Sequence, residues 1–176
     1  EETTRQNSPY AEVDYRRVYP FGEALAHVIG YTGELTSQEL ADEYYSLRRY
    51  LSGDRVGRMG AEAYFEEKLH GRDGRELVEV DASGNAVRTL GTDPAVSGET
   101  VELSVDAALS QVVATVFPQG ARGAVVVSRP GTGEILALYS SPSFNPNGFT
   151  LGQTSERYLA LVTNVDEPMF FRAIGG

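Results

Sequence analysis

Gly123-Ala124-Val125-Val126-Val127-Ser128-Arg129-Pro130-Gly131-Thr132-Gly133-Glu134-Ile135-Leu136-Ala137-Leu138-Tyr139-Ser140 contains two apolar runs separated by five residues of turn chemistry. Runs of this length, rich in β-branched and aromatic residues and broken by Pro-Gly and Gly, predict an antiparallel hairpin with strands at 123–128 and 134–140. Just upstream, Asp106 stands where an N-cap belongs, and Leu109, Val112, Val113, Val116 and Phe117 recur at helical spacing. That apolar face predicts a helix lying on the hairpin. Before it, Val101, Leu103 and Val105 alternate as a strand would. One hairpin with one helix is an incomplete antiparallel sheet whose edges need covering. Downstream, the Pro- and Asn-rich segment 142–148 leads to a short helix expected at 156–162.

The N-terminal half has a different texture. Ala11 to Tyr15 alternates like an entry strand, and Leu25 to Tyr31 is an apolar run. Thr36 followed by Glu39 matches a capping box, so a helix is expected there, with Leu40, Tyr44, Leu47 and Leu51 on its buried stripe and Ser52-Gly53-Asp54 ending it. A second helix is expected at 61–69, with Ala61, Tyr64, Phe65 and Leu69 on one face. From Arg75 the period becomes two: Val78 and Val80, a glycine turn at 81–85, then Val87 to Leu90, a second hairpin. Small residues, Pro94 and Gly98 make 92–98 the expected boundary between domains 1–98 and 99–176. The fold class is α+β, with helices and antiparallel hairpins in the first domain and the incomplete sheet with its packed helix in the second.

Composition excludes several functions. The chain of 176 residues carries 25 acidic and 15 basic side chains, a formal charge of −10, which repels a phosphate backbone, so no nucleic acid is expected as a partner. There is no cysteine, and hence no disulfide, thiolate metal site or thiol nucleophile. No apolar run approaches the roughly 20 residues that span a bilayer.

Particular residues point further. Arg17-Val18-Tyr19-Pro20, Ala26-His27-Val28-Ile29-Gly30-Tyr31 and Gly53-Asp54-Arg55-Val56-Gly57-Arg58-Met59-Gly60, followed by Glu62 and Tyr64, then Leu69-His70-Gly71, resemble the class B penicillin-binding proteins of the elongation type. Thr132 to Ala137, Ser141 to Asn147 and Arg172-Ala173 resemble the opening of that family's transpeptidase domain. The resemblance implies a dimerisation or pedestal domain followed by the first part of a serine-type peptidoglycan D,D-transpeptidase. It implies as partners a polytopic membrane glycosyltransferase and a periplasmic rod-shape scaffold protein. It also implies a membrane anchor upstream and a place on the outer face of the cytoplasmic membrane.

The chemistry such an enzyme needs, a serine with a lysine one helical turn later and a Lys-Thr-Gly triplet, cannot be written here. Lys68 is the only lysine and no serine precedes it by three. The chain is therefore expected to be inactive by itself, with no catalytic, cofactor-binding or metal-ligating residue. Ser83-Gly84-Asn85 reads as turn chemistry. His27 and His70 read as structural residues, Glu62 as a helix-start carboxylate, and Asp42-Glu43 and Glu66-Glu67 as solvated faces. Tyr45 and Tyr50 are the candidate partner-binding residues, on a surface within 35–60. A standalone envelope interaction protein and a complete enzyme with an unrecognised site are the alternatives.

Overall fold

The computed structural model describes residues 16–150 and 155–175; the entry strand expected at Ala11 to Tyr15 lies outside them. In chain order the elements are α1 (Ala26–Ile29), β1 (Thr32–Glu34), α2 (Glu43–Leu47), β2 (Arg55–Gly57), α3 (Gly60–Tyr64), α4 (Glu66–Leu69), β3 (Arg75–Val80) and β4 (Ala86–Asp93). There follow α5 (Ala107–Val116), β5 (Gly123–Ser128), β6 (Ile135–Ser141), α6 (Asn147–Thr150), α7 (Ser155–Val162) and α8 (Arg172–Gly175). The three sheets among the described residues are antiparallel pairs, β1 with β2, β3 with β4 and β5 with β6. This is the expected α+β class. No described helix is long and apolar enough to cross a membrane.

Two compact units are present. The first combines the residues up to Tyr64 with those from Leu103 onward, and the second runs from Phe65 to Glu102.

In the first unit the hairpin expected from the apolar runs forms with Gly123 opposite Ser141 and Val126 opposite Leu138. Its turn closes through Arg129 N–H to the Glu134 carbonyl at 2.8 Å. The Asp106 carboxylate accepts from Leu109 N–H at 2.9 Å, so the predicted cap is real. Leu109, Val113 and Phe117 of the helical face meet Val125, Val127, Ala137 and Tyr139. Val112 and Val116, read as part of the same face, are exposed, because a helix on a two-stranded sheet has only about a third of its circumference to bury. The alternating residues 101–105 do not pair as a strand. They are held by Ser104 Oγ on the Ile135 carbonyl and by Asp106 N–H on the Leu136 carbonyl, both at 2.8 Å.

The early part of the chain packs against the late part. Tyr31 stacks on Phe149 with ring centroids 3.8 Å apart, and Phe144 meets both rings edge-on. Ala26 and Met59 complete that core. Tyr19 N–H donates to Asn147 Oδ1, and Asn147 Nδ2 returns a bond to the Tyr19 carbonyl. Arg55 Nη2 donates to the carbonyls of Thr32 and Phe149, each at 2.8 Å. His27 Nε2–H donates to the Pro168 carbonyl at 2.9 Å.

In the second unit the β3–β4 hairpin bulges at two points in its register, and every one of its strand residues is exposed. Its turn is held by the Asp81 carboxylate, which accepts from Ser83 and Asn85 N–H and is thereby held below the usual carboxylate range. The segment expected to be a linker is bonded instead: β4 runs to Asp93, Arg72 and Val96 exchange backbone bonds, and Glu99 N–H reaches the Lys68 carbonyl.

In the first unit the backbones at Gly30 and Gly60 cross closely. Both have left-handed φ, +81° and +61°, and a Cβ on Gly30 would sit 1.7 Å from the Met59 carbonyl oxygen. Gly30→Ala is expected to destabilise the chain by roughly 3 kcal/mol or more, from overpacking plus backbone strain. A urea titration checks this; an unchanged midpoint would show that the crossing can open without loss.

Candidate partner-docking site

The surface read from the sequence as a docking region is built around a short helix. The Thr36–Glu39 capping box forms, with Thr36 N–H on Glu39 Oε2 and Glu39 N–H on Thr36 Oγ1. It caps only a 3₁₀ turn, Glu39–Ala41. Asp42 then takes extended backbone and caps α2 itself, its carboxylate accepting from Tyr44 N–H at 2.8 Å. A second capping residue thus competes with continuation of the first turn, and the expected long helix becomes two short pieces.

That break rotates the stripe. Tyr44, expected in the core, is 39% exposed, Leu47 is 71% and Leu51 62%. Arg49 adopts φ +65°, which reverses the chain, and Tyr50 drops into a core with Leu35 and Val56, against which Leu40 and Tyr45 pack. The three tyrosines form an edge-to-face ladder, Tyr44 to Tyr45 at 5.0 Å and Tyr45 to Tyr50 at 5.3 Å. Arg48 lies 4.0 Å over the outermost ring. Of the two candidates, Tyr50 is therefore buried and Tyr45 half-buried; both support a surface whose outward groups are Tyr44, Leu47 and Leu51. The sequence offered no sign of those two leucines facing out, since helical spacing is blind to where a helix stops.

The base of the site is an ion pair. Arg58 grips Glu39 through both carboxylate oxygens, while its Nη2 also donates to the Glu34 carbonyl. The Arg58 hydrogen bonds, aided by those from Thr36, hold the Glu39 carboxyl down at about 2, from an ordinary 4.5.

The other singled-out residues lie apart from it. Ser83-Gly84-Asn85 forms the β3–β4 turn, with Gly84 at φ +84°. His27 is buried between Phe144 and Phe171, and desolvation pushes its pKa down. His70 Nδ1 is 3.3 Å from Glu66 Oε1, one helical turn away. Among the described residues no group of His, Asp and Glu could hold a metal ion. The face assigned to 61–69 holds only in part: Ala61, Phe65 and Leu69 are half-buried, but Tyr64 is 83% exposed while Glu62 and Glu66 are buried. Phe65 leaves helical geometry and divides the stretch into α3 and α4, so one stripe cannot span both. Glu62 is more than a helix-start carboxylate, because Arg17 Nε and Nη2 fork onto its two oxygens at 2.8 and 3.0 Å. Nothing in sequence links residues 45 apart. Beside this pair, burial first and the Glu62 charge second push the Tyr19 hydroxyl up to about 12.

The family model described as "Penicillin-binding Protein dimerisation domain" matches residues 3–103. The chain belongs to that family. It is 44% identical over 165 residues to the peptidoglycan D,D-transpeptidase MrdA of Acinetobacter baumannii, covering 94% of this chain and 24% of that protein. It is 39% identical over 163 residues to MrdA of Escherichia coli, covering 92% of this chain and 26% of the relative. The chain therefore spans about a quarter of the length of the curated relatives it matches. Its fold matches the solved complex between penicillin-binding protein PBP2 and MreC from Helicobacter pylori with a TM-score of 0.75 and 28% identity, covering 93% of this chain and 30% of that one. The dimerisation domain read from the sequence and the elongation-type resemblance are both upheld.

The Glu39–Arg58 base gives a pH dependence with a definite sign. A carboxyl whose pKa is depressed on folding stabilises above its unfolded value and loses that contribution as pH falls from about 4.5 towards 2. Glu39→Gln is expected to remove this acid-side slope from the stability profile; an unchanged slope in thermal melts across that range would assign it to other carboxylates. The exposure of Glu39 keeps the contribution small.

Proposed function

We propose that the chain forms the pedestal and the opening of the catalytic domain of an elongation-type peptidoglycan D,D-transpeptidase, positioning that domain and docking a rod-shape scaffold protein. The observation that carries this is the match of 93% of the chain to PBP2 in its complex with MreC, joined to an exposed aromatic and aliphatic surface on α2. The division at 98/99 belongs to this reading and is supported by the family model's end at residue 103. So does extracytoplasmic placement, supported by kinship to peptidoglycan transpeptidases, and so do an anchor upstream and a polytopic glycosyltransferase as second partner, which the resemblance of the sequence implies. Tyr45 and Tyr50 serve docking from below, by fixing the ring ladder on which Tyr44 rests.

Exposed apolar side chains clustered on a rigid element are what protein partners use, and aromatic residues with arginine dominate such contacts. Replacing Tyr44 and Leu47 together with serine is expected to weaken MreC binding by about tenfold, roughly 1.4 kcal/mol, with the melting temperature preserved. Tyr45→Ser with Tyr50→Ser is expected to lower the melting temperature as well, since Tyr50 leaves a cavity. Calorimetric titration with both variants folded and affinity unchanged would remove this surface from the account.

Acyl transfer is not expected of these residues, because neither Ser-x-x-Lys nor Lys-Thr-Gly occurs among them. Intact mass measurement after exposure to a β-lactam is expected to show the unmodified mass. A stoichiometric adduct would mean that an unassigned nucleophile is present.

A further inference from the structure

An open groove of about 630 Å³ lies in the first unit, away from α2, lined by Phe21, Glu23, Gln111, Tyr139 and Asn145. The small side chains of Ala24 and Ala114 line it too and leave it room. Phe21 is an aromatic ring at the surface, 39% exposed. Among the described residues, the Glu23 carboxylate and the Gln111 amide make no hydrogen bond or ion pair, although the Glu23 carbonyl accepts from Ser143 Oγ. Asn145 spends its Oδ1 on Asn147 and keeps its amide donors available. Tyr139 is buried, its ring set edge-on to Phe117.

We propose that this groove binds a neutral hexosamine-type glycan, the saccharide component of the cell-wall polymer, independently of the α2 surface. A pyranose ring has an apolar C–H face and a rim of hydroxyls. The exposed Phe21 ring offers a platform for the first, while a planar carboxylate and planar amides offer acceptors and donors in fixed directions for the second. The volume lies within the usual range for small-ligand sites. Among the described residues the only charge lining the groove is Glu23, and the chain carries a net charge of −10, so an anionic stem peptide is disfavoured. A cationic side chain would use the carboxylate and the face of the Phe21 ring but leave both amides without a role, and the trilysine comparator below tests that rival. The choice of a cell-wall glycan rests on the proposed function; the groove chemistry does not.

The test uses the chain itself, with a soluble β-1,4-linked N-acetylglucosamine tetramer as probe and trilysine as comparator, read by amide NMR shifts including the Gln111 side chain. Saturable binding near 1 mM is expected, weakened about tenfold by Phe21→Ala and by Glu23→Ala. Glu23→Gln, which keeps the hydrogen bonds and removes the charge, is expected to stay within about threefold. Tyr64→Ala, exposed elsewhere, serves as the unaffected control. Circular dichroism confirms folding of each variant, and Gln111→Ala replaces Phe21→Ala if that variant does not fold.

No saturation up to about 10 mM, binding indifferent to these variants, or trilysine binding that Glu23→Gln abolishes would each overturn the proposal. MreC titration separates the two readings. Glycan binding lost with scaffold binding intact overturns the groove alone. Scaffold binding lost with glycan binding intact overturns the docking surface alone.

Discussion

Tyr31 stacked on Phe149, with Phe144 edge-on to both, is the contact on which the first unit depends. It joins residues separated by more than a hundred positions, and everything near it assumes that juncture. Arg55 can bridge the Thr32 and Phe149 carbonyls only if those two backbones are already side by side. The Gly30–Gly60 crossing brings β1 and β2 to the aromatic cluster from the other direction, and any side chain there would force them apart. Aromatic rings suit this role because they bury large areas while fixing only two torsions each. The contact is costly to form in entropy, since it closes a long loop, and is repaid by the rings and the carbonyl bonds together.

Around that juncture, two ion pairs fix side-chain geometry, one buried and one near the surface. Glu62 is buried and forked by Arg17, whereas Glu39, gripped by Arg58, stays partly exposed. A buried carboxylate survives only with such a partner, and removing the partner leaves an uncompensated charge. The pairs therefore fix geometry more than they add stability. The Glu39–Arg58 pair sets the 3₁₀ turn ahead of α2, and α2 in turn aims Tyr44 and Leu47 outward. The docking surface is thus a consequence of where a helix is stopped. The groove lies between the first 3₁₀ turn, Gly22–Ala24, and α5, elements more than eighty residues apart in sequence, whereas the α2 surface rests on a local core of Leu35, Tyr50 and Val56.

The second unit is built differently. Its hairpin buries no strand residue, and two strands alone are marginal in water. What holds it is local: the Asp81 turn, the Arg88–Glu79 pair, Thr89 Oγ1 on Glu76 and the Arg72–Val96 bridge. Bulges in its register twist the ribbon, a device that discourages edge-to-edge pairing.

Local rules sufficed wherever the deciding forces were local. The 123–141 hairpin, the Asp106 cap, the Thr36–Glu39 box and the Asp81 turn were all legible, because strand alternation, capping and turn closure act between residues a few positions apart. Family membership was legible for a related reason: glycines and charged residues at strained or buried positions tolerate few substitutes, so their spacing is a signature. Tertiary structure alone decided which face of each stripe is buried. Tyr64 and Leu47 face outward and Glu62 inward because Asp42, Arg49 and Phe65 interrupt helices whose spacing runs on unbroken. It also decided every long-range partnership, from Arg17 with Glu62 to Tyr31 with Phe149. Such pairs leave no local pattern, since their energy depends on distances that exist only after the chain has closed on itself.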